Sequence, residues 1–356
     1  MTVLSRQQAQ KRADEIRVFR QELEGLRRDG VLALTPEQDT AVQAHHQQLL
    51  ADFATSFDID RDAAARQLST GMKIASFLGA LAIAASVFFL FRQFWGHFDP
   101  PAQVMLLLIA AFGSFLATMW MHRRDPSGYF TKLVALVAFA CFVLNTVMLG
   151  DIFNITPTEN ALLAWAALAF VLAYACDLRL LLAAGIVCLA SFISARTGTW
   201  SGMYWVDVGT WPEHYLLAAV LLFTFPLWVD HRRFDGFAAA WRVGGMLFFF
   251  LPVLVLSNWG DGSYLPWKLD TIEGFYQLVG FATAAACIWL GIRKYWTDTI
   301  NTGVVFFVIF LYTKFYDWWW EIMPKYLFFL VLGLTALLVL TVLRRLRSSL
   351  PQEVTP

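Results

Sequence analysis

The chain has 356 residues, of which 58% are hydrophobic, 16% aromatic and 15% charged. Soluble domains carry about 25% charged residues, so this composition excludes an ordinary soluble protein and indicates that lipid surrounds most of the chain. The formal net charge is zero, but the 27 acidic and 27 basic residues are distributed unevenly along the sequence.

The first part of the chain, residues 1–70, is predicted to be a cytoplasmic helical module. One amphipathic helix is expected over residues 7–29, because apolar residues recur there at three- and four-residue steps before Gly30 supplies a stop. Through Lys73 the module contains eleven acids and ten bases. It is therefore nearly neutral, which argues against a nucleic-acid partner. A cytoplasmic protein partner stays open.

A capping box marks the start of a second helix in this module. Thr35 is the expected N-cap, Pro36 occupies the first helical position and Gln38 lies three residues after the cap. The helix is expected to run to about Phe57. Asp60 can then cap a third helix that leads toward the membrane.

Ten apolar segments follow, each close to the roughly 20 residues that cross a bilayer as a helix. They lie near residues 73–94, 102–121, 131–150, 159–176, 178–195, 213–230, 239–257, 274–292, 300–316 and 325–343. In hydrocarbon the backbone must bond to itself, so the fold class is all-α: a polytopic bundle of about ten transmembrane helices over residues 71–345, with a cytoplasmic tail over 346–356. Only Cys176–Arg179 separates the fourth and fifth segments, which leaves their boundary open.

The positive charges fall in alternate gaps between these segments. With the N-terminus inside, 22 of the 27 Lys and Arg lie on the cytoplasmic side, and five lie outside: Arg92, Arg196, Lys268, Lys314 and Lys325. Ten acids lie outside: Asp99, Asp151, Glu159, Asp207, Glu213, Asp261, Asp270, Glu273, Asp317 and Glu321. The positive-inside rule therefore predicts ten spans with both termini in the cytoplasm.

The first candidate substrate site is the segment around Lys314. At 100° per residue, Lys314, Asp317 and Glu321 fall within about 60° of one another on a helix, at the outer end of the ninth span. Ionisable groups at such depth mark substrate or proton sites. The alternative is a helix-end anchor, in which Lys314 extends outward and pairs with Asp317.

The second candidate is an acidic, tryptophan-rich outer surface. Trp205, Asp207 and Glu213 lie in or beside the loop that precedes the sixth span, and carboxylates with aromatic rings hold sugars or organic cations. Nine of the 15 Trp lie near the outer side: Trp95, Trp200, Trp205, Trp211, Trp259, Trp267, Trp318, Trp319 and Trp320. A headgroup belt also explains most of these Trp. The Glu213–His214 pair is open to an acid/base role or to the ordinary preference for acids at helix N-termini.

No cofactor or metal site is predicted. Four cysteines, Cys141, Cys176, Cys188 and Cys287, lie inside apolar stretches without a CxxC pair or a histidine at ligand spacing. HxxxxD, HExxH, GxSxG and DDxxD arrangements are absent from the outer loops. The sequence therefore offers no catalytic residues, and an enzyme is the less favoured class.

Two segments resemble a known family. Leu23–Gln38, with Gly30 between two helices, and Thr313–Leu340, which reads TKFYDWWWEIMPKYLFFLVLGLTALLVL, are similar to the DUF2157 and DUF4401 groups of predicted bacterial membrane proteins. Members often have Arg where this chain has Lys314, so a bidentate guanidinium is not available there. The resemblance implies an integral protein of the bacterial inner membrane and no assigned reaction.

Three hypotheses for the function follow from the sequence. The working hypothesis is a transporter-like protein that moves a small solute through an outward-facing acidic and Trp-rich vestibule. The first alternative is a membrane scaffold or regulatory subunit that binds a partner through residues 1–70. The third hypothesis is a membrane enzyme that acts on periplasmic or lipid-linked substrates at the outer loops.

Overall fold

A computed structural model of the chain describes residues 6–32, 34–57, 78, 82, 89, 93, 95–125, 129–156, 158–200, 211–231 and 233–348. Every regular element in this part of the chain is a helix, so the predicted all-α class is confirmed. The first predicted span and the third helix of the N-terminal module lie almost entirely outside these residues.

Eleven α-helices occur in the described ranges. They are α1 Arg6–Arg28, α2 Pro36–Phe57, α3 Pro100–Arg124, α4 Tyr129–Ile152, α5 Asn160–Cys176, α6 Arg179–Trp200, α7 His214–Trp228, α8 Phe237–Leu256, α9 Leu269–Lys294, α10 Thr297–Trp319 and α11 Lys325–Ser348. Short 3₁₀ turns cover Trp95–His97 and Gly260–Gly262. Nine of the ten predicted apolar segments therefore coincide with α3 to α11.

The count of ten spans stays a prediction. Six helices of the described chain, α3, α4, α6, α8, α9 and α10, are long and apolar enough to cross a membrane. α5, α7 and the first part of α11 are apolar but shorter. The open boundary between the fourth and fifth segments falls at Asp177, which adopts a left-handed conformation with φ of 50° and ends α5.

The chain divides into two compact units, Met1–Asn154 and Ile155–Pro356. In the first unit, α1 and α2 form a hairpin whose small core contains Ala13 and Phe53. The predicted capping box is confirmed, because Thr35 N–H donates to Gln38 Oε1 over 3.1 Å and Gln38 N–H donates to Thr35 Oγ1 over 3.3 Å. Gly30 has φ of +69° and ends the first helix as expected.

The hairpin and the α3–α4 pair of the first unit are each tied by a polar contact. Arg27 and Asp39 form an ion pair of 2.8 Å across the α1–α2 turn. In the apolar pair, the buried Asn145 Nδ2 donates to the Leu107 carbonyl over 2.8 Å. An amide that bonds a neighbouring helix in this way stabilises apolar helix pairs.

In the second unit, α8 packs against α6, α7, α9 and α10 and so occupies the centre. Its core face presents Phe250 and Val253, which are fully buried, to Phe306 and Phe310 of α10. The Phe250 and Phe306 rings stack with centroids 4.7 Å apart. Aromatic packing of this kind fixes the register between the two helices.

Successive helices of the second unit run in opposite directions, so their connections lie alternately at two ends. One end joins Glu213 to residues 257–268, and we name it the Glu213 end. The other joins Arg242 to Asp298 at the start of α10, and we name it the Arg242 end. Each end gathers connections that are distant in sequence.

Candidate functional site

Of the first predicted cluster, the structure brings together Lys314 and Asp317. The Lys314 Nζ and Asp317 Oδ2 atoms lie 3.1 Å apart on α10, and the side chains are 15% and 40% exposed. Glu321 is exposed and follows the end of α10 at Trp319, so the helical geometry that grouped three residues does not extend to it. Among the described residues, Glu321 forms no ion pair.

Aromatic side chains near this pair pack on one another. The Trp319 ring stacks on Phe315 with centroids 4.8 Å apart, and the Trp320 ring stacks on Tyr316 at 5.0 Å. The Lys325 ammonium lies 3.7 Å from the centroid of Trp320. These contacts lie where α10 ends and α11 begins.

Of the second predicted cluster, the structure describes Glu213, whereas Trp205 and Asp207 lie outside the described residues. Glu213 immediately precedes α7, but its side chain forms no capping hydrogen bond with that helix. Its Oε1 atom instead accepts from the Tyr264 backbone N–H over 3.0 Å and from the Tyr276 hydroxyl over 3.1 Å. The carboxylate is therefore directed to another loop and another helix.

Three further side chains complete this group. The His214 Nε2 and Tyr264 hydroxyl atoms are 2.7 Å apart, and the Trp211 and Tyr264 rings stack at 4.1 Å with an interplanar angle of 10°. We name Trp211, Glu213, His214, Tyr264 and Tyr276 the Glu213 cluster. Residues from the start of α7, the α8–α9 loop and the first part of α9 thus meet at one place.

Two buried polar atoms of the Glu213 cluster have no hydrogen-bond partner among the described residues: Glu213 Oε2 and His214 Nδ1. His214 is only 4% exposed. If the Tyr264 hydroxyl donates to Nε2, Nδ1 carries an unmatched proton, and in the other tautomer Nδ1 is an unmatched acceptor. An unsatisfied buried polar atom costs about 1–3 kcal/mol, so both positions favour a bound polar partner.

A second acid at the same end is neutralised within the chain. Glu159 precedes α5, and its Oε1 atom lies 2.9 Å from Arg196 NH1 near the end of α6. Glu213, in contrast, forms no ion pair with any described residue. The two acids occupy equivalent positions before apolar helices and differ in charge compensation.

An ion pair that the sequence did not predict lies at the Arg242 end. Arg242 Nε and NH2 donate to the two oxygens of Asp298 over 2.8 Å each, and the guanidinium lies 4.4 Å from the centroid of the Trp296 ring. Arg242 is 9% exposed. Arg242 and Asp298 are 56 positions apart, and the only signal available was an acid in the first turn of a helix.

A second polar chain lies at the same end. Trp241 Nε1–H donates to the Tyr174 hydroxyl over 3.1 Å, and that hydroxyl lies 2.8 Å from His231 Nε2. His231 Nδ1 is 2.7 Å from the Val229 carbonyl. Carbonyls only accept, so His231 Nδ1 donates to the Val229 carbonyl and the Tyr174 hydroxyl donates to His231 Nε2. Each side-chain polar atom of Trp241, Tyr174 and His231 therefore has a hydrogen-bond partner.

An apolar cavity of about 200 Å³ lies between α7, α8 and α9. Its lining includes Phe223, Gly245, Phe249 and Cys287 and contains none of the predicted site residues. Within the described ranges, no group of three or more His, Cys, Asp or Glu side chains is placed to hold a metal ion. The cavity therefore offers space for apolar groups alone.

Comparison with known proteins supports the assignment of the chain as a membrane protein. Residues 37–182 match a family described as predicted membrane protein, DUF2157. The match covers less than half of the chain and includes α2 to α5, whereas the resemblance in the sequence was seen mainly in residues 23–38 and 313–340. No curated protein and no solved structure matches the chain.

Proposed function

We propose, from the match to a family of predicted membrane proteins and from the Glu213 cluster, that this chain moves a small solute across the bacterial inner membrane. Both termini lie in the cytoplasm in this proposal, and the Glu213 end faces outward. The single observation that carries it is the half-buried carboxylate of Glu213: other segments donate to its Oε1 atom, and its buried Oε2 atom has no hydrogen-bond partner among the described residues.

The charges of the second unit support this orientation. Among the described residues, the Arg242 end carries five basic ones: Arg179, Arg233, Arg242, Arg293 and Lys294. Near the Glu213 end of α6 to α9 the described residues include two bases, Arg196 and Lys268, together with four acids, Glu213, Asp261, Asp270 and Glu273. Basic residues are retained on the cytoplasmic side during insertion, so the Arg242 end is assigned to the cytoplasm.

The position of Glu213 favours binding over capping. An acid before a helix is ordinarily satisfied by the first-turn N–H groups, but this side chain makes no such bond. Ionisable groups beside membrane helices are expensive to retain and mark pathways for solutes or protons. Lys314 and Asp317 remain a second candidate contact for the solute, although their mutual ion pair satisfies both charges.

The test is flux into liposomes that contain the full chain. Radiolabelled methylammonium, glycine and glucose serve as probes, with protein-free liposomes as background. We expect protein-dependent flux of at least one probe and a loss of roughly tenfold or more in Glu213→Gln, since removal of a charge contact costs about 1.4 kcal/mol or more.

Glu159→Gln is the matched control for this flux test, because Glu159 is already paired with Arg196. It should retain the flux. Asp317→Asn tests the Lys314 pair separately, and unchanged flux assigns that pair to anchoring. Absence of protein-dependent flux for every probe, or full flux in Glu213→Gln, contradicts the proposed function.

A scaffold is the second candidate function. The α1–α2 hairpin leaves Val18 and Phe19 at least half exposed, which is typical of a surface that a partner covers. A photoactivatable cross-linker on Val18→Cys should then capture one defined protein in cells, whereas the same probe on the exposed Glu24→Cys should not. Equal capture from both positions contradicts the scaffold.

A further inference from the structure

We propose that the Glu213 cluster is a binding site for a small primary ammonium group, such as the head of an alkylamine. This inference deepens the proposed function and rests on it for the direction of movement, but binding itself is a separate property. It stands on the charge of the site, on its unmatched hydrogen-bonding atoms and on its aromatic wall.

The negative charge of Glu213 favours a cationic ligand. Glu213 Oε1 already accepts two hydrogen bonds, and both come from neutral donors, Tyr264 N–H and Tyr276 O–H. The α7 N-terminus contributes a partial positive charge to Glu213, but no described Lys or Arg pairs with it. Glu159 shows the compensated arrangement at the same end, where Arg196 supplies the positive charge. A cationic ligand would neutralise the charge of Glu213 as Arg196 neutralises the charge of Glu159.

The unmatched atoms favour a cation that carries N–H donors. Glu213 Oε2 is buried, and no described residue donates a hydrogen bond to it. A primary ammonium presents three N–H groups, whereas a quaternary ammonium presents none and would leave the oxygen unmatched. Hard metal ions need several oxygen ligands, and the Glu213 cluster offers one free carboxylate oxygen.

The aromatic wall favours an organic body on the ligand. Trp211 and Tyr264 stack next to Glu213, and Tyr264 is 45% exposed, so the wall is reachable from outside. Aromatic faces attract cations and bury alkyl groups. A short alkylammonium therefore matches the carboxylate and the rings together.

The test is titration calorimetry on the full chain in detergent micelles, with ethylammonium, tetramethylammonium and potassium chlorides as probes. We expect saturable binding of ethylammonium and at least tenfold weaker binding of the other two cations. Glu213→Gln should weaken ethylammonium binding at least tenfold, and Glu159→Gln should leave it unchanged.

A third variant guards against misfolding. Tyr276→Phe removes one hydrogen bond to Glu213 without removing the charge, so it should weaken binding by less than Glu213→Gln. No binding of ethylammonium to the unmodified chain, equal binding of tetramethylammonium, or full binding in Glu213→Gln overturns the inference. Binding without flux in liposomes would overturn the proposed function and leave this site standing.

Discussion

At the scale of the residue, ion pairing separates the polar groups of the second unit into satisfied and unsatisfied ones. Arg242 with Asp298 and Arg196 with Glu159 are matched pairs, whereas Glu213 is not. None of these relations was available from the sequence, because each partner lies 37 or more positions away. Glu213 was predicted as a candidate only from its residue type and its place beside tryptophans in an outer loop.

Arg242→Met should destabilise the second unit. The change leaves Asp298 without its bidentate partner in a mostly buried position, and breaking such a pair costs roughly 3–5 kcal/mol. The double variant Arg242→Met with Asp298→Asn should cost less than the single one. Thermal unfolding in detergent measures both, and the exposed Arg293→Met at the same end is the control, with an expected cost of about 1 kcal/mol or less.

A similar stability for Arg242→Met and Arg293→Met would contradict the structural role of the pair. So would a double variant that is less stable than Arg242→Met, because the uncompensated charge is then not the cause of the loss.

The α1–α2 hairpin should weaken in acid because of His46. Burial lowers the pKa of this imidazole below its ordinary 6.5, and the positive charges of Arg20, His45 and Arg12 lower it further. A lowered pKa in the folded state means that the unfolded chain binds the proton first. The contribution to stability is therefore complete above pH 6.5 and is lost as the pH falls through the folded-state pKa.

Hydrogen exchange of the α2 amides in the full chain, corrected for intrinsic rates, measures this dependence. Protection should stay constant above pH 6.5 and fall as the pH decreases below 6.5 through the folded-state pKa. His46→Gln should remove most of that change. A pH response of equal size in His46→Gln would assign it to another group.

At the scale of the element, the sequence predicted most of what the structure contains. The capping box at Thr35 and the stop at Gly30 are local signals, and both were confirmed. Apolar segments placed nine helices correctly because hydrocarbon leaves a backbone no other regular choice. Helix ends were less certain: α6 continues to Trp200, and α10 stops before Glu321.

Gly245 controls the crossing of α7 and α8. A Cβ atom at this position would lie 2.6 Å from the Phe223 backbone nitrogen and 2.8 Å from the Ala219 carbonyl oxygen, so the helices would have to separate. We expect Gly245→Ala to destabilise the chain by roughly 1–3 kcal/mol in thermal unfolding. Gly274→Ala, where nothing lies within 4 Å, is the control and should be neutral or stabilising. Equal effects of the two changes would contradict the close approach.

At the scale of the whole molecule, the sequence and the structure share one property: successive helix connections alternate between two ends. The sequence predicts it from the charges, and the structure of the second unit displays it in contacts between connections that are distant in the chain. The sequence does not predict which helices pack against one another, because apolar helices of similar composition do not differ in any feature that specifies a neighbour. The central place of α8 therefore emerged only from the structure.

Reporter fusions test the orientation directly. A reporter placed after Asp235 and another placed after Tyr295 should both be active in the cytoplasm, and one placed after Gly262 should be active outside. The first two positions belong to the Arg242 end, and the third belongs to the Glu213 end. Reporters after Asp235 and Tyr295 that lie on opposite faces would contradict the alternation and every outward assignment that depends on it.

The short helices have a consequence for the surrounding lipid. α5 has 17 residues and α7 has 15, which correspond to about 26 Å and 22 Å of rise, whereas the hydrocarbon layer is about 30 Å thick. In the predicted ten-span topology, in which α7 crosses the membrane, this hydrophobic mismatch requires the bilayer to thin around α7 or its polar ends to enter the acyl-chain region. A solute bound at Glu213 would then begin its passage already below the headgroups, with a shorter barrier ahead of it.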